Sequence, residues 1–98
     1  MMNKKNREKL ENIRKNFLEF LEMHKTKESQ MLEDYKNMTL NVIIEDFNKN
    51  LSHYKAFPGK YLYGIADELG LDTDDLSVMM KLRSYFDMFD KVIDILYC

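Results

Sequence analysis

The last quarter of the chain, residues 72–98, carries the pattern that most restricts the fold. Counted at 100° per residue, as in an α-helix, one face collects large apolar side chains and the opposite face collects charged ones. The apolar face consists of Val78, Leu82, Tyr85, Phe86, Phe89, Val92, Ile93 and Leu96, with Met79 and Tyr97 at its edge. The pattern predicts one long amphipathic helix that the rest of the chain must cover.

The residues just before this pattern predict how the helix starts. Asp72 is expected to be the N-cap, because its carboxylate can accept hydrogen bonds from the free amides of the first turn. The negative charges of Asp74 and Asp75 would interact favourably with the positive end of the helix dipole. Leu71 is expected to pack against Leu76 as a hydrophobic staple.

The N-terminal third contains no Gly or Pro from Asn3 to Lys36, and its apolar residues keep one helical phase. These residues are Leu10, Ile13, Phe17, Phe20, Leu21, Met31, Tyr35 and Met38. The continuity supports either one long helix or two helices in line. The polar run 24–30 interrupts the stripe, and a bend with Thr26 as a new N-cap is the competing interpretation.

A second helical stripe starts after Met38, with Thr39 or Asn37 as the candidate N-cap. Its members are Leu40, Ile43, Ile44, Phe47, Leu51 and Tyr54. Pro58 and Gly59 are expected to end this helix near Tyr54.

A short helix, residues 61–69, is predicted next, and Gly70 is a natural residue to stop it. With only one Pro and three Gly in 98 residues, strands have little support. We therefore predict a single all-α domain over residues 1–98. It has four or five helices, long N- and C-terminal helices, and a helix-turn-helix-like corner near the C-terminal end.

That corner, residues 65–76, is similar to the helix-turn-helix consensus. Ala66, Gly70, Leu76 and Met79 match its small, turn and apolar positions. The polar positions depart from it, because Asp72, Asp74 and Asp75 stand where a DNA reader presents basic and amide side chains. A plain helix–Gly–helix corner is the alternative.

The basic N-terminus is the better candidate for nucleic-acid contact, although the whole chain has a formal net charge of −2. Its basic residues are Lys4, Lys5, Arg7, Lys9, Arg14 and Lys15. Glu8 and Glu11 lie among them, and no aromatic side chain for base stacking appears before Phe17. A solvated helix face is therefore the favoured interpretation.

Residues 54–63 combine four aromatic side chains and two lysines around a proline turn, a composition typical of protein-binding hot spots. Exposed methionines on the polar side of the last helix suit the same role. The candidate partner-binding residues are Tyr54, Phe57, Lys60, Tyr61, Tyr63, Met80 and Met88. The alternative is that Phe57, Tyr61 and Tyr54 close the end of the helical core.

Enzyme chemistry has little support in the sequence. His24 and His53 lack neighbours at metal-ligand spacing, and no glycine-rich phosphate loop occurs. The single cysteine, Cys98, excludes an intramolecular disulfide and favours a reducing cytoplasm. We find neither a signal peptide nor an apolar run long enough to span a membrane, and we expect no catalytic residue, metal or cofactor.

The leading functional hypothesis is a small regulatory or accessory protein, of inhibitor or adaptor type, that binds another protein. A homodimer is expected, because one chain of this size cannot easily cover both the 10–38 stripe and the 78–96 stripe. The alternative is a dimeric helix-turn-helix DNA-binding regulator. A structural subunit of a larger assembly is a third class.

Overall fold

The computed structural model describes the backbone of residues 4–97 and the side chains of residues 4–95. Over this part the chain forms five α-helices and no strand, which confirms the all-α prediction with long first and last helices. They are α1 (Lys4–His24), α2 (Gln30–Asn37), α3 (Leu40–Ala56), α4 (Pro58–Leu69) and α5 (Leu76–Tyr97). The predicted places of Leu96 and Tyr97 on the apolar face, and Cys98, lie outside the described side chains.

The core is centred on aromatic rings from three helices. Phe47 of α3 stacks on Phe89 of α5, with 4.3 Å between ring centroids. The Phe17 ring of α1 is nearly perpendicular to the Phe86 ring and to the Phe89 ring, with 5.7 Å between ring centroids in each pair. Such edge and stacked contacts add to the free energy gained by burying the rings. The predicted apolar face of the last helix is thus buried from Val78 to Ile93.

The two long apolar stripes are covered within one chain, because α1 packs directly against α5. Leu10 and Phe17 of α1 are as fully buried as Phe86 and Phe89 of α5. The argument that a dimer is needed to cover these stripes is therefore wrong. Self-association itself stays a prediction, and it needs another surface.

The N-terminal third is two helices, and a tertiary contact separates them. The bend interpretation expected Thr26 to be the N-cap of the second helix. Ser29 is the N-cap of α2 instead, and its side chain makes no capping hydrogen bond. The Thr26 amide donates to the Leu69 carbonyl at 3.0 Å, and its hydroxyl donates to the Gly70 carbonyl. We call this pair of bonds the Thr26–Gly70 contact. It ties the α1–α2 connector to the end of α4.

Thr39 caps α3 as predicted, since its hydroxyl accepts from the Val42 amide at 3.3 Å. The next boundary differs from the prediction, because α4 starts at Pro58 and not at residue 61. Proline is favoured at the first helical position, where its missing N–H would have no partner. Gly59 therefore lies in the first turn of α4, and only Phe57 separates α3 from α4.

Gly70 ends α4 as predicted, in the left-handed conformation with φ of 65°. The start of α5 is displaced from the prediction, because Asp75 and not Asp72 caps the helix. The Asp75 carboxylate accepts from the amides of Ser77 at 3.0 Å and Val78 at 3.3 Å. Asp72 instead accepts from the Asp74 amide at 3.0 Å, within the connector.

Candidate functional site

A groove of about 770 Å³ opens on the surface between α2 and α4, with further lining from α3. We call it the α2–α4 groove. Its lining residues are Met31, Tyr35, Asn50, His53, Phe57, Lys60, Tyr61, Gly64, Ile65 and Glu68. The volume is in the range of ligand-binding clefts.

The wall formed by α4 follows from where that helix begins. The lining residues from Phe57 to Glu68 are spaced by alternate steps of three and one, so that they share one helical face. They are Phe57, Lys60, Tyr61, Gly64, Ile65 and Glu68. The start of the helix at Pro58 extends this face to Lys60, which lies outside the predicted helix 61–69.

The base of the groove is apolar and aromatic. Ile65 and Tyr35 are buried, while Tyr61 and Met31 are partly buried. Burial raises the pKa of both tyrosine hydroxyls above the ordinary value, with the nearby Asp46 carboxylate acting in the same direction. Both tyrosines therefore stay protonated at physiological pH and can donate hydrogen bonds. Phe57 stands at the edge of the groove with 68% of its surface exposed.

The polar part of the lining carries opposite charges at its two ends. Lys60 is exposed near the start of α4, and Glu68 is exposed near its end. Eight residues of α-helix separate them by about 12 Å. Glu68 also accepts a hydrogen bond from the Ser29 hydroxyl at 3.3 Å, so that this end of the groove is joined to the start of α2.

Gly64 lies in the middle of α4 and has no packing role within the described chain. Outside its own helix and chain neighbours, a Cβ added there would meet no described heavy atom within 4 Å. Glycine in a helix interior costs about 0.5–1 kcal/mol relative to alanine, because it loses more backbone entropy on folding. At this point the groove exposes the backbone of α4 directly.

Three of the seven predicted partner-binding residues line the groove: Phe57, Lys60 and Tyr61. Tyr54 does not lie at the surface. It is 4% exposed, and its hydroxyl donates to the Asp87 carboxylate at 2.7 Å, so it belongs to the core as the alternative interpretation proposed. Tyr61 also contributes to the core, because its ring packs nearly perpendicular to the Phe86 ring, with 5.4 Å between ring centroids.

The remaining three candidates are exposed but lie elsewhere. Tyr63 follows Tyr61 by two residues, a rotation of about 200°, which turns it away from the groove face of α4. Met80 and Met88 lie on the outer side of α5, together with Leu76 and Ile95. The sequence-predicted set thus divides into groove, core and separate surface positions.

Most residues of the groove are not among the candidates predicted from the sequence. The missed lining residues are Met31, Tyr35, Asn50, His53, Gly64, Ile65 and Glu68. One signal could have found the α4 members, because the predicted helix 61–69 already places Tyr61, Gly64, Ile65 and Glu68 on one face. Pro58 as a first helical residue adds Lys60 to that face. The α2 and α3 members carry no such signal, because their proximity is a result of the tertiary fold.

Arg14 corrects the nucleic-acid prediction. Its guanidinium donates to the Met38 carbonyl at 2.6 Å and lies 3.9 Å from the Glu11 carboxylate. A cation at this place satisfies a carbonyl at the end of α2. The other predicted basic residues, Lys4, Lys5, Arg7, Lys9 and Lys15, are exposed on α1. Glu8 and Glu11 are exposed on the same helix, as a solvated face requires.

The helix–Gly–helix corner also departs from a DNA-reading motif. Six residues connect α4 to α5, whereas the helix-turn-helix turn has three or four. Leu76 is 71% exposed, so it acts neither as a packing residue nor as a staple for Leu71. Asp72, Asp74 and Asp75 are exposed. Hydrogen bonds from Ser77, and to a smaller extent from Val78, lower the pKa of the Asp75 carboxyl group.

A second groove, of about 510 Å³, runs between α1 and α5. There the His24 ring lies 4.8 Å from the Phe20 ring, and the Lys81 ammonium lies 5.6 Å from the Tyr85 ring centroid. Met23 is 77% exposed beside it. Its aromatic residues are used in contacts within the chain, so it offers less free apolar surface than the α2–α4 groove.

Within residues 4–97, no cluster of three or more metal-ligating side chains occurs. In the same range, no helix has the length and apolar character that a membrane crossing requires. Comparison of the chain with protein-family models, with curated proteins and with solved structures gives no significant match.

Proposed function

We propose that this chain is a small non-enzymatic regulatory or accessory protein, of inhibitor or adaptor type, that binds another protein through the α2–α4 groove. The observation that carries the proposal is the convergence of Phe57, Lys60 and Tyr61 on one groove with an apolar base. Aromatic side chains next to a pocket, with charged groups at its edge, are typical of the centre of protein interfaces.

Phe57 supports the proposal most directly. A phenylalanine that is 68% exposed leaves a large apolar area in water, and it lies beside the partly buried Tyr61. Covering that area would gain about 25 cal/mol per Å² removed from water. Phe57 is also the single residue between α3 and α4.

DNA binding has weaker support as a function. The corner between α4 and α5 exposes three aspartates, and each would be repelled by phosphates. Arg14 is engaged with the end of α2 and is removed from the basic set. The protein-binding hypothesis therefore ranks first.

The experiment compares wild type with Phe57→Ala and Lys60→Ala, and uses Met23→Ala as the control. Met23 is a still more exposed apolar residue, but it lies beside the α1–α5 groove. Proteins captured by wild type and by the control are purified, and each is titrated by calorimetry against wild type and all three variants. A hot-spot truncation should weaken binding by about 30-fold, which corresponds to about 2 kcal/mol.

Two results would contradict the proposal. One is a purified partner that binds the Phe57→Ala variant and wild type equally. The other is duplex binding by the unmodified chain at physiological salt, measured at two salt concentrations to reveal the steep dependence that phosphate contacts produce.

The proposal includes a cytoplasmic location and self-association. Because α1 and α5 cover each other, the outer side of α5 is the surface that remains for a second copy, with Leu76, Met80, Met88 and Ile95 exposed along it. Light scattering at micromolar concentration should give a dimer mass, and Met80→Lys should return it to a monomer. A monomer mass for wild type at all concentrations would remove the dimer from the proposal.

A further inference from the structure

We infer that the partner inserts one amphipathic α-helix into the α2–α4 groove, with an acidic residue facing Lys60 and a basic residue facing Glu68. This inference rests on the proposed function and specifies its partner. It is argued from the length of the α4 wall, from the open space at Gly64, and from the charges at the two ends.

The shape of the lining favours a helix. The twelve residues of α4 form a straight wall of about 18 Å, and α2 forms part of the opposite side. A helix laid into such a groove presents apolar residues at i, i+4 and i+7. Addition of a partner strand would need an exposed strand edge, and residues 4–97 contain no strand.

The space at Gly64 supports close approach by this helix. The distance between the axes of two packed helices depends on the side chains at the contact, and a glycine there allows the shortest interaxial distance. Gly64 makes α4 less favourable as a helix, and no described residue outside that helix fills the space beside it. A partner side chain packed on this exposed backbone would fill it.

The end charges specify the polar residues of the partner helix. Lys60 and Glu68 lie about 12 Å apart along α4, so complementary charges on a parallel or antiparallel helix fall seven or eight residues apart. Between them, apolar residues would face Tyr61, Gly64 and Ile65. Complementary charges of this kind select the register of the bound helix more than they add affinity.

The test uses the full chain and a phage-displayed library of random 16-residue peptides as the probe. Peptides are selected on wild type alone, and the selected peptides are then titrated against wild type and against Gly64→Leu, which fills the open space with a side chain. The matched control is Gly59→Leu, because Gly59 is also in α4, also has open space beside it, and does not line the groove. Both variants should melt no lower than wild type, since leucine favours helix over glycine.

The expected peptides have apolar residues at i, i+4 and i+7 and opposite charges seven or eight residues apart. Their affinity should fall at least tenfold with Gly64→Leu and stay unchanged with Gly59→Leu. Lys60→Glu should weaken them, and exchanging the peptide's acidic residue for lysine should restore binding to that variant.

Proline-rich or alternating apolar sequences that depend on Gly64 would overturn the helix, and so would helical peptides that Gly64→Leu does not affect. Loss of a cellular partner with Phe57→Ala, without any helical peptide from the library, would refute the inference and leave the proposed function standing. Helical peptides that bind as expected, with a partner insensitive to Phe57→Ala, would refute the proposed function, while the preference of the groove for a helix would stand.

Discussion

Gly70→Ala should destabilise the fold by two separable effects. Alanine in the left-handed conformation at φ of 65° costs about 1–2 kcal/mol, because its Cβ crowds the following carbonyl. A Cβ at position 70 would also overlap the Thr26 Oγ1 atom, so the hydroxyl bond of the Thr26–Gly70 contact has to break. Losing the hydroxyl hydrogen bond costs about 0.5–1.5 kcal/mol. The expected total is about 1.5–3.5 kcal/mol.

A double-mutant cycle separates the two effects. Thr26→Ala removes the hydroxyl, so Gly70→Ala made in that background should cost only the backbone term of about 1–2 kcal/mol. The double variant should therefore be more stable than the sum of the single variants predicts, by about 0.5–1.5 kcal/mol. Gly64→Ala is the matched control, since it has open space and should stabilise the protein by about 0.5–1 kcal/mol.

The assay is urea denaturation followed by far-UV circular dichroism, with the free energy of unfolding extrapolated to water. The reasoning would be refuted by a Gly70→Ala variant as stable as wild type. Strictly additive effects at positions 26 and 70 would show instead that the overlap with Thr26 does not matter, and the loss would then be due to the backbone alone.

Three further predictions concern stability. Phe89→Ala should cost about 3–5 kcal/mol, because Phe89 is 1% exposed and stacks on Phe47; an unchanged melting temperature would contradict the described core. Arg14→Ala should cost about 1–3 kcal/mol through the lost bond to the end of α2, and the exposed Lys15→Ala should stay within about 0.5 kcal/mol in the same urea titration. The pKa of Asp75 is lowered in the folded chain, so its stabilisation is present above the ordinary aspartate pKa and is lost as the pH falls below it. Calorimetry should therefore find a smaller wild-type advantage over Asp75→Asn at pH 3 than at pH 7, and an equal advantage at the two pH values would contradict the assignment.

Helix content was predictable from local pattern, because periodicity is a property of neighbouring residues. The stripe from Val78 to Ile93 is buried as expected, and Thr39 and Gly70 bound their helices as expected. Boundaries were less predictable where one residue has two uses. Pro58 can end one helix or begin the next, and it begins α4 because the apolar residues after it pack onto α3.

The groove was predictable only in part. Phe57, Lys60 and Tyr61 were found from composition, whereas Tyr35 was assigned only to a core stripe. The placement of α2 beside α4 depends on the bond from Thr26 to Gly70, which joins residues 44 positions apart. Charge pattern likewise does not distinguish a solvated arginine from Arg14, whose partner is the carbonyl of a residue 24 positions away.

The shortness of α2 has a consequence for the order in which the molecule loses structure. Eight residues are too few for a helix that is stable on its own in water, so α2 depends on its attachments. These include the Thr26–Gly70 contact at one end, Arg14 at the other, and the ion pair between Lys36 and Glu22 at 2.7 Å. Leu32 and Tyr35 are the two side chains that α2 buries, and salt weakens its exposed charge pairs. Local opening of α2 should therefore require less free energy than global unfolding, so the groove can disassemble while α1 and α5 stay folded.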